Sequence, residues 1–202
     1  MLNKPTIIPT AYLAPIEYYA YLIQKKNCLI EYNEYFIKQS IRNRCNIYGA
    51  NGKLRLTIPK KRSNNPKNII SKTKICYKEN WQKKHCTSIE SAYNSSPFFQ
   101  YYKHELHELF FKKEEYLLVF NNKLQELILK LINSERNLKK TSKYELSVES
   151  DDKRNYNWNN PIQKKYNQVF MEKHGFIKDL SIIDLLFNLG PQSIDYLKNV
   201  TI

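Results

Sequence analysis

The pattern of apolar and polar positions predicts a strand, a helix and a second strand in the N-terminal part of the chain. Thr6–Pro9 and residues 28–32 are apolar runs of strand length, and the first ends at a proline. Between them, residues 16–25 follow Pro15 and carry apolar side chains at helical spacing. A strand, a helix and a strand so close together indicate a parallel βαβ unit.

A β-hairpin is predicted after this unit. Residues 45–48 and 53–59 are two candidate strands, and the Asn51-Gly52 pair between them supplies the positive φ angle of a tight turn. Residues 35–44 before the hairpin are predicted to form a short helix, and residues 74–77 after it a further strand.

The second half of the chain is predicted to be mostly helical, because apolar side chains recur there at helical spacing. The helical patterns cover residues 81–93, the stretch behind a Ser95-Ser96-Pro97 cap, residues 117–131, residues 182–189 between a Ser181 cap and Gly190-Pro191, and a last short helix from Ser193.

These elements predict an α/β fold for residues 1–202 as a single domain. An N-terminal parallel βαβ unit with a hairpin is followed by a mostly helical C-terminal half that packs on the same sheet. Residues 139–160 are polar and weakly patterned, so we expect a flexible segment there, with one strand near residues 143–148. The sequence contains neither a membrane-spanning run nor a secretory signal, which predicts a cytoplasmic protein without membrane insertion.

The net charge of +14 is compatible with a nucleic-acid binder, but the composition favours another origin. Lys, Asn, Ile and Tyr can all be encoded by A and T alone, and their joint excess indicates drift in an AT-rich genome. The basic residues are also spread along the chain, apart from clusters at residues 60–62 and 139–140 in predicted loops. Nucleic acid is therefore not the expected partner.

Metal and cofactor sites are not predicted. The four cysteines include no C-x-x-C pair, which favours reduced thiols, and neither Cys45 nor Cys86 has an evident histidine partner. The segment from His104 to Glu108 differs from H-E-x-x-H and lacks a third ligand at a suitable spacing. The turn at residues 10–15 has no glycine-rich phosphate loop, so Tyr12 there is either a ligand contact or part of the core.

A cluster of polar residues at positions 38–44 is the first candidate for substrate binding. If the segment is helical, Lys38 and Arg42 share one face, and Gln39 and Asn43 share the adjoining face. Like charges at this spacing repel unless an anion lies between them, and arginine is scarce in this lysine-rich chain. The alternatives are an anion site that includes Arg44 and a solvated helix face.

His85, on the predicted helix 81–93, is the second candidate. A histidine there is either a general base that also holds a substrate oxygen, or a structural residue of the core.

The order of short motifs along the chain resembles the WbqC-like family of bacterial proteins. The resemblance covers nearly the whole chain. The matching stretches are Thr10-Ala11-Tyr12-Leu13, Ile37-Lys38-Gln39, Arg42-Asn43-Arg44-Cys45, Gly49-Ala50-Asn51-Gly52, Leu56-Thr57-Ile58-Pro59, Trp81 with His85, Ser91-Ala92-Tyr93-Asn94-Ser95, Pro97-Phe98-Phe99, Tyr101-Tyr102, His174-Gly175-Phe176, Leu180-Ser181-Ile182, Asp184-Leu185-Leu186-Phe187-Asn188 and Gly190-Pro191.

The resemblance implies a role in surface-polysaccharide synthesis, including O-antigen gene sets, with acyl or aminoacyl transfer onto a nucleotide-linked amino sugar. The sequence departs from the family pattern at Ala14, Asn33, His104, Glu105 and His107, which leaves a reduced or altered activity open. The polar positions carried over by the resemblance are Tyr12, Lys38, Gln39, Arg42, Asn43, Arg44, His85, Asn94, Asp184 and Asn188.

Two functions follow as hypotheses. The first is a transferase for a small anionic, nucleotide-sugar-like substrate: Lys38, Arg42 and Arg44 hold the phosphate, and His85 acts as base. Asp184 then orients His85, or it is only a charge near a helix N-terminus. The second is a non-catalytic binding or scaffold protein, which could use the basic surface to bind nucleic acid. Neither hypothesis specifies the oligomeric state.

Overall fold

A sheet of four parallel strands holds the N-terminal part of the molecule together. The computed structural model describes residues 4–62, 67–144, 151–158 and 164–202. The strand order is β5-β2-β1-β6, and each neighbouring pair is parallel. The strands are β1 (Thr6–Pro9), β2 (Cys28–Glu31), β5 (Lys139–Lys140) and β6 (Asp151–Asp152).

The predicted βαβ unit is confirmed. Helix α1 (Ile16–Gln24) connects β1 to β2, and Thr6 is paired with Cys28 in the parallel register. The hydroxyl of Tyr18 in α1 donates a hydrogen bond to the carbonyl oxygen of Pro9 at the end of β1, at 2.7 Å. This bond fixes the buried helix to the strand that precedes it.

The predicted hairpin is also confirmed. Strands β3 (Arg44–Gly49) and β4 (Gly52–Thr57) are antiparallel, and Gly52 has a φ of 98°. This angle lies in a region that glycine enters without steric cost.

The C-terminal half is mostly helical, as predicted. Helix α6 is apolar on nearly all sides and buried, and the Oγ of Ser181 caps it by accepting a hydrogen bond from the Ile183 amide. The helices are α2 (Trp81–Tyr93), α3 (Phe99–Phe111), α4 (Leu117–Leu131), α5 (Met171–His174), α6 (Ile182–Leu189) and α7 (Ser193–Lys198).

The helix predicted for residues 35–44 is wrong. Residues 38–43 form turns, Arg44 begins β3, and Gln39 has a φ of 58°, which a helix does not contain. The backbone groups of this segment bond to other parts of the chain: the Phe36 amide donates to Asn68, and the Ile41 carbonyl accepts from Tyr12. Tertiary contacts therefore replace the helical bonds that the polar pattern suggested.

Two smaller predictions are corrected. No strand forms at residues 74–77. Lys74 makes a single bridge to Tyr116 and Ile75 makes one to Lys60, so adjacent residues pair with different segments. Helix α3 begins at Phe99 without a side-chain cap, and the hydroxyl of Ser96 instead donates to the Tyr93 carbonyl of the preceding helix.

The segment 139–160, predicted to be flexible, contributes both outer strands of the sheet where it is described. Lys139–Lys140 is β5 instead of a loop, and Arg154 and Trp158 are buried. The strand predicted near residues 143–148 lies largely outside the described residues. Among the described helices, none combines the length and the apolar character needed to cross a bilayer.

Candidate functional site

The carboxyl ends of three of the four parallel strands, β2, β5 and β6, carry a largely buried network of charges. Glu31 ends β2 and is 0% exposed, and its Oε2 accepts a hydrogen bond from Nη1 of Arg154 at 3.1 Å. The same guanidinium donates to both carboxylate oxygens of Asp152 at the end of β6, at 2.9 and 2.6 Å. Thr141, directly after β5, donates to the other oxygen of Glu31 at 2.7 Å. One arginine therefore links the ends of β2 and β6.

A second buried ion pair lies beside this network. Nε and Nη2 of Arg42 donate to the two carboxylate oxygens of Glu34, at 2.8 and 2.5 Å. Nη2 also donates to the backbone carbonyl of Arg154 at 3.0 Å, so the two arginines belong to one assembly. The bidentate geometry is the strong form of an arginine–carboxylate contact.

The pKa values reflect this environment. Burial raises the pKa of Glu34 above its ordinary value, although the hydrogen bonds and charge of Arg42 act in the opposite direction. The hydrogen bonds from Arg154 lower the pKa of the half-exposed Asp152 and raise that of the arginine. Carboxylates neutralise both guanidinium groups within the fold.

A polar pocket of about 290 Å³ opens next to these ion pairs. It lies where α1 begins, beyond the carboxyl ends of the strands. The described hydrogen bonds of Arg42 use Nε and Nη2 but not Nη1. Nε1 of the buried Trp158 has no hydrogen-bond partner among the described residues. The residues that line this polar pocket are Pro15, Ile37, Gln39, Ser40, Ile41, Arg42, Asn46, Arg154, Asn155, Tyr156, Asn157, Trp158 and Asp179.

His85 lies in an aromatic cluster of the core instead of in the polar pocket. Its Nδ1 is 2.8 Å from the hydroxyl of Tyr12, and its ring contacts Trp81 and Phe110. Burial lowers the pKa of His85 to about 4, and a hydrogen bond to the backbone of Thr57 offsets part of this effect. The imidazole is therefore neutral near pH 7, and its Nδ1 accepts a hydrogen bond from the hydroxyl of the fully buried Tyr12.

Asp184 is held in a separate cluster. Its carboxylate is 0% exposed and accepts hydrogen bonds from Tyr93 at 2.9 Å, Tyr166 at 2.5 Å and Gln168 at 2.9 Å. Burial raises its pKa to about 6 against the effect of these three donors. No described hydrogen bond joins Asp184 to His85, so the predicted orienting contact is not present.

The other predicted site residues have different positions. Of the ten, the structure brings Gln39 and Arg42 together at the polar pocket. The side chain of Asn43 donates to the Ile58 carbonyl, and that of Asn188 to the Asp184 carbonyl. Lys38 and Asn94 are exposed, Asn94 accepts a hydrogen bond from Gln100, and Arg44 is in β3 with a buried Nε that has no partner among the described residues.

The cysteines and the histidine-rich segment do not assemble into a metal site in the described part of the chain, where no group of three suitable ligands was found. Burial raises the pKa of Cys86 to about 11 and that of Cys45 above its ordinary range, so both thiols are protonated.

The residues that sequence reasoning missed are mainly acidic residues and the segment after β6. Glu31 is the next-to-last residue of a predicted strand, and Arg154 is one of the few arginines of the chain, so both carried a detectable signal. The missed members of the network and the pocket are Glu31, Glu34, Asn46, Thr141, Asp152, Arg154, Asn155, Tyr156, Asn157, Trp158 and Asp179.

Comparison with known proteins gives one match. No curated protein and no solved structure matches the chain. The model of the WbqC-like protein family matches residues 10–157 and 150–196, which is nearly the full length of the sequence. The chain belongs to the WbqC-like protein family.

Proposed function

We propose that this protein is a transferase that binds a small, nucleotide-sugar-like anion in the polar pocket. Acyl or aminoacyl transfer in surface-polysaccharide synthesis in the cytoplasm is the reaction class that the family resemblance suggests. The observation that carries the proposal is the position of the pocket, which opens at the carboxyl ends of four parallel strands beside the start of α1. Ligands of open parallel sheets bind at this edge.

The lining of the pocket supports a sugar-like ligand. Side-chain amides of Gln39, Asn46 and Asn155 can donate to and accept from hydroxyl groups, and Tyr156 and Trp158 add aromatic surface. A pocket of about 290 Å³ is just below the size range of small-molecule sites, about 300–1,000 Å³. It suits a sugar ring, with the nucleotide part reaching toward solvent.

The charge balance supports a single phosphate contact instead of a polyanion site. Glu34 neutralises Arg42, and Asp152 and Glu31 neutralise Arg154. Nη1 of Arg42 is the donor of this arginine that no described residue uses, and we assign it to a phosphate oxygen of the ligand. Guanidinium groups are well suited to this contact.

His85 and Asp184 act as positioning residues in this proposal, since neither lines the polar pocket. His85 holds the hydroxyl of Tyr12, and the backbone amide of Tyr12 donates to the Ile41 carbonyl in the pocket wall at 2.8 Å. Asp184 joins α6 to α2 through the hydroxyl of Tyr93.

Isothermal titration calorimetry with UDP-N-acetylglucosamine as probe tests the proposal. Gln39→Ala and Asn155→Ala remove exposed amides of the pocket, and each should weaken binding by about tenfold, the usual effect of one lost hydrogen bond. Asn199→Ala removes an exposed amide near the C-terminus and is the matched control. Absence of binding at millimolar probe, or equal affinities for all three variants, would overturn the proposal.

A DNA-binding measurement distinguishes the second hypothesis, a nucleic-acid-binding protein, from the proposed transferase. Binding to a single-stranded DNA oligonucleotide would weaken steeply with salt, in proportion to the phosphates contacted. Binding of one sugar nucleotide in a pocket should change little between about 50 and 200 mM salt. Tight, strongly salt-dependent DNA binding without probe binding would favour a nucleic-acid partner.

A further inference from the structure

An apolar groove lies between α2 and α3, with a volume of about 650 Å³. Its floor consists of buried aliphatic and aromatic side chains. None of the residues that line it belongs to the polar pocket, so the two sites are independent. The floor is formed by Ile89, Phe99, Leu106, Phe110 and Phe187.

The rim of the apolar groove is basic. Lys83 of α2 and Lys103 of α3 face it from the two helices, and the Nζ of Lys103 lies 5.9 Å from the centre of the Phe99 ring. His104 and His107 line the same side, and Glu90 is the one acidic residue among the lining residues described. The ring centres of His107 and the half-exposed Phe111 are 4.6 Å apart with their planes tilted by 42°, and this contact extends the apolar surface to the mouth of the groove.

We infer that this groove binds an amphiphilic anion with one long acyl chain, whose chain lies on the floor and whose carboxylate or phosphate head lies between Lys83 and Lys103. An apolar floor with a few charged groups at one side is the usual arrangement of a site for such a ligand. Burial of each methylene contributes about 0.8 kcal/mol, so the chain supplies most of the affinity.

The chemistry of the groove favours non-covalent binding of a single chain. Cys86 lines it, but burial raises the pKa of its thiol to about 11, so it adds apolar surface and not a nucleophile. The volume of about 650 Å³ falls within the range of small-molecule pockets. The recessed floor lies between two helices that pack on each other, which suits a monomeric amphiphile better than a flat membrane surface.

Calorimetry with dodecanoate, octanoate and dodecanol, each below its aggregation concentration, tests the inference. Dodecanoate should bind at least tenfold more tightly than octanoate, because four more methylenes are buried. Dodecanol should bind several-fold more weakly than dodecanoate, because it lacks the charge that the lysines attract. Equal affinity for the two chain lengths, or no preference for the charged head, would overturn the inference.

Variants of exposed residues test the site without disturbing the core. Lys83→Ala with Lys103→Ala should reduce the affinity for dodecanoate to that for dodecanol and leave dodecanol binding unchanged. Lys84→Ala removes an exposed lysine of the same helix that pairs with Glu79 outside the groove, and it is the matched control. Thr87→Trp, at an exposed position that lines the groove, should block both ligands.

The folded state of each variant is verified by urea denaturation. Unchanged dodecanoate binding in Thr87→Trp would place the ligand elsewhere and overturn the assignment. Binding to phosphatidylglycerol vesicles without binding of monomeric dodecanoate would assign the surface to a membrane, and would also overturn it.

Discussion

Nη1 of Arg154 lies 3.1 Å from Oε2 of Glu31, and this contact joins two residues that are 123 positions apart in the sequence. The side chains are 3% and 0% exposed. A buried carboxylate that loses its cation still bears the free-energy cost of lost hydration. The stability of the sheet therefore depends on Arg154, which comes from a polar segment late in the sequence.

Arg154→Met should therefore destabilise the protein strongly. The variant leaves the Glu31 carboxylate buried without its cation, and breaking a buried pair in this way costs about 3–5 kcal/mol. Urea denaturation measures the free energy of unfolding. The double variant Arg154→Met with Glu31→Gln should recover part of the loss, because the uncompensated charge is then absent.

Arg55→Met provides the control for this experiment. Arg55 is exposed on β4 and makes one long hydrogen bond to Asn46, so its removal should change stability by less than about 1 kcal/mol. If Arg154→Met were no more harmful than Arg55→Met, the buried network would not stabilise the sheet.

Asp184→Asn should change how stability depends on pH. Burial raises the pKa of this carboxyl from 3.8 to about 6, so the folded state binds more protons than the unfolded state between these values. Stability therefore falls as pH rises through this window, by up to about 3 kcal/mol. In Asp184→Asn only the opposite contribution of His85 remains, so stability should rise between about pH 4 and 6, where the two contributions largely cancel in wild type. A denaturation profile identical to wild type would contradict the assignment.

His85→Gln should have the opposite effect. Burial lowers the pKa of His85 from 6.5 to about 4, so the unfolded state binds more protons in this range and stability rises with pH. The variant should lose this rise, on the order of 3 kcal/mol, and show the fall caused by Asp184. The control His104→Gln removes an exposed histidine and should leave the pH dependence of stability as in wild type. In wild type the two opposed dependences overlap between about pH 4 and 6 and largely cancel.

Gly190→Ala should be more destabilising than Gly175→Ala. Both glycines have positive φ angles, 53° and 73°, so both substitutions carry a backbone cost of about 1–2 kcal/mol. A Cβ at position 190 would also lie 2.5 Å from Cδ1 of Phe98, whereas position 175 faces open space. The difference in unfolding free energy between the two variants measures this clash, and equal values would show that the Phe98 ring moves freely.

Elements with a strong periodic pattern could be predicted from the sequence. Helices α2 and α6 begin and end at the predicted residues, and the bounds of α6 follow from the Ser181 cap and the Gly190-Pro191 stop. The Asn51-Gly52 turn places the hairpin, since few residue pairs satisfy its backbone angles.

The ion network could not be predicted in the same way. Its partners are far apart in the sequence, and β5 and β6 have two residues each, too few for any periodic signal. Arg42 was predicted to bind an anion on a helix face, but the sequence does not reveal that Glu34, eight positions earlier, takes two of its donors. The scarcity of arginine in the sequence singled out Arg42 as a candidate, and the same argument could have singled out Arg154.

The strand order also determines when the protein can fold during translation. The two central strands leave the ribosome first, whereas the strands that cover their edges come from residues 139–152. A nascent chain that ends after α4 therefore exposes two open strand edges and an unneutralised Glu31, features that promote aggregation. Newly made chains should depend on chaperones until Arg154 has been synthesised.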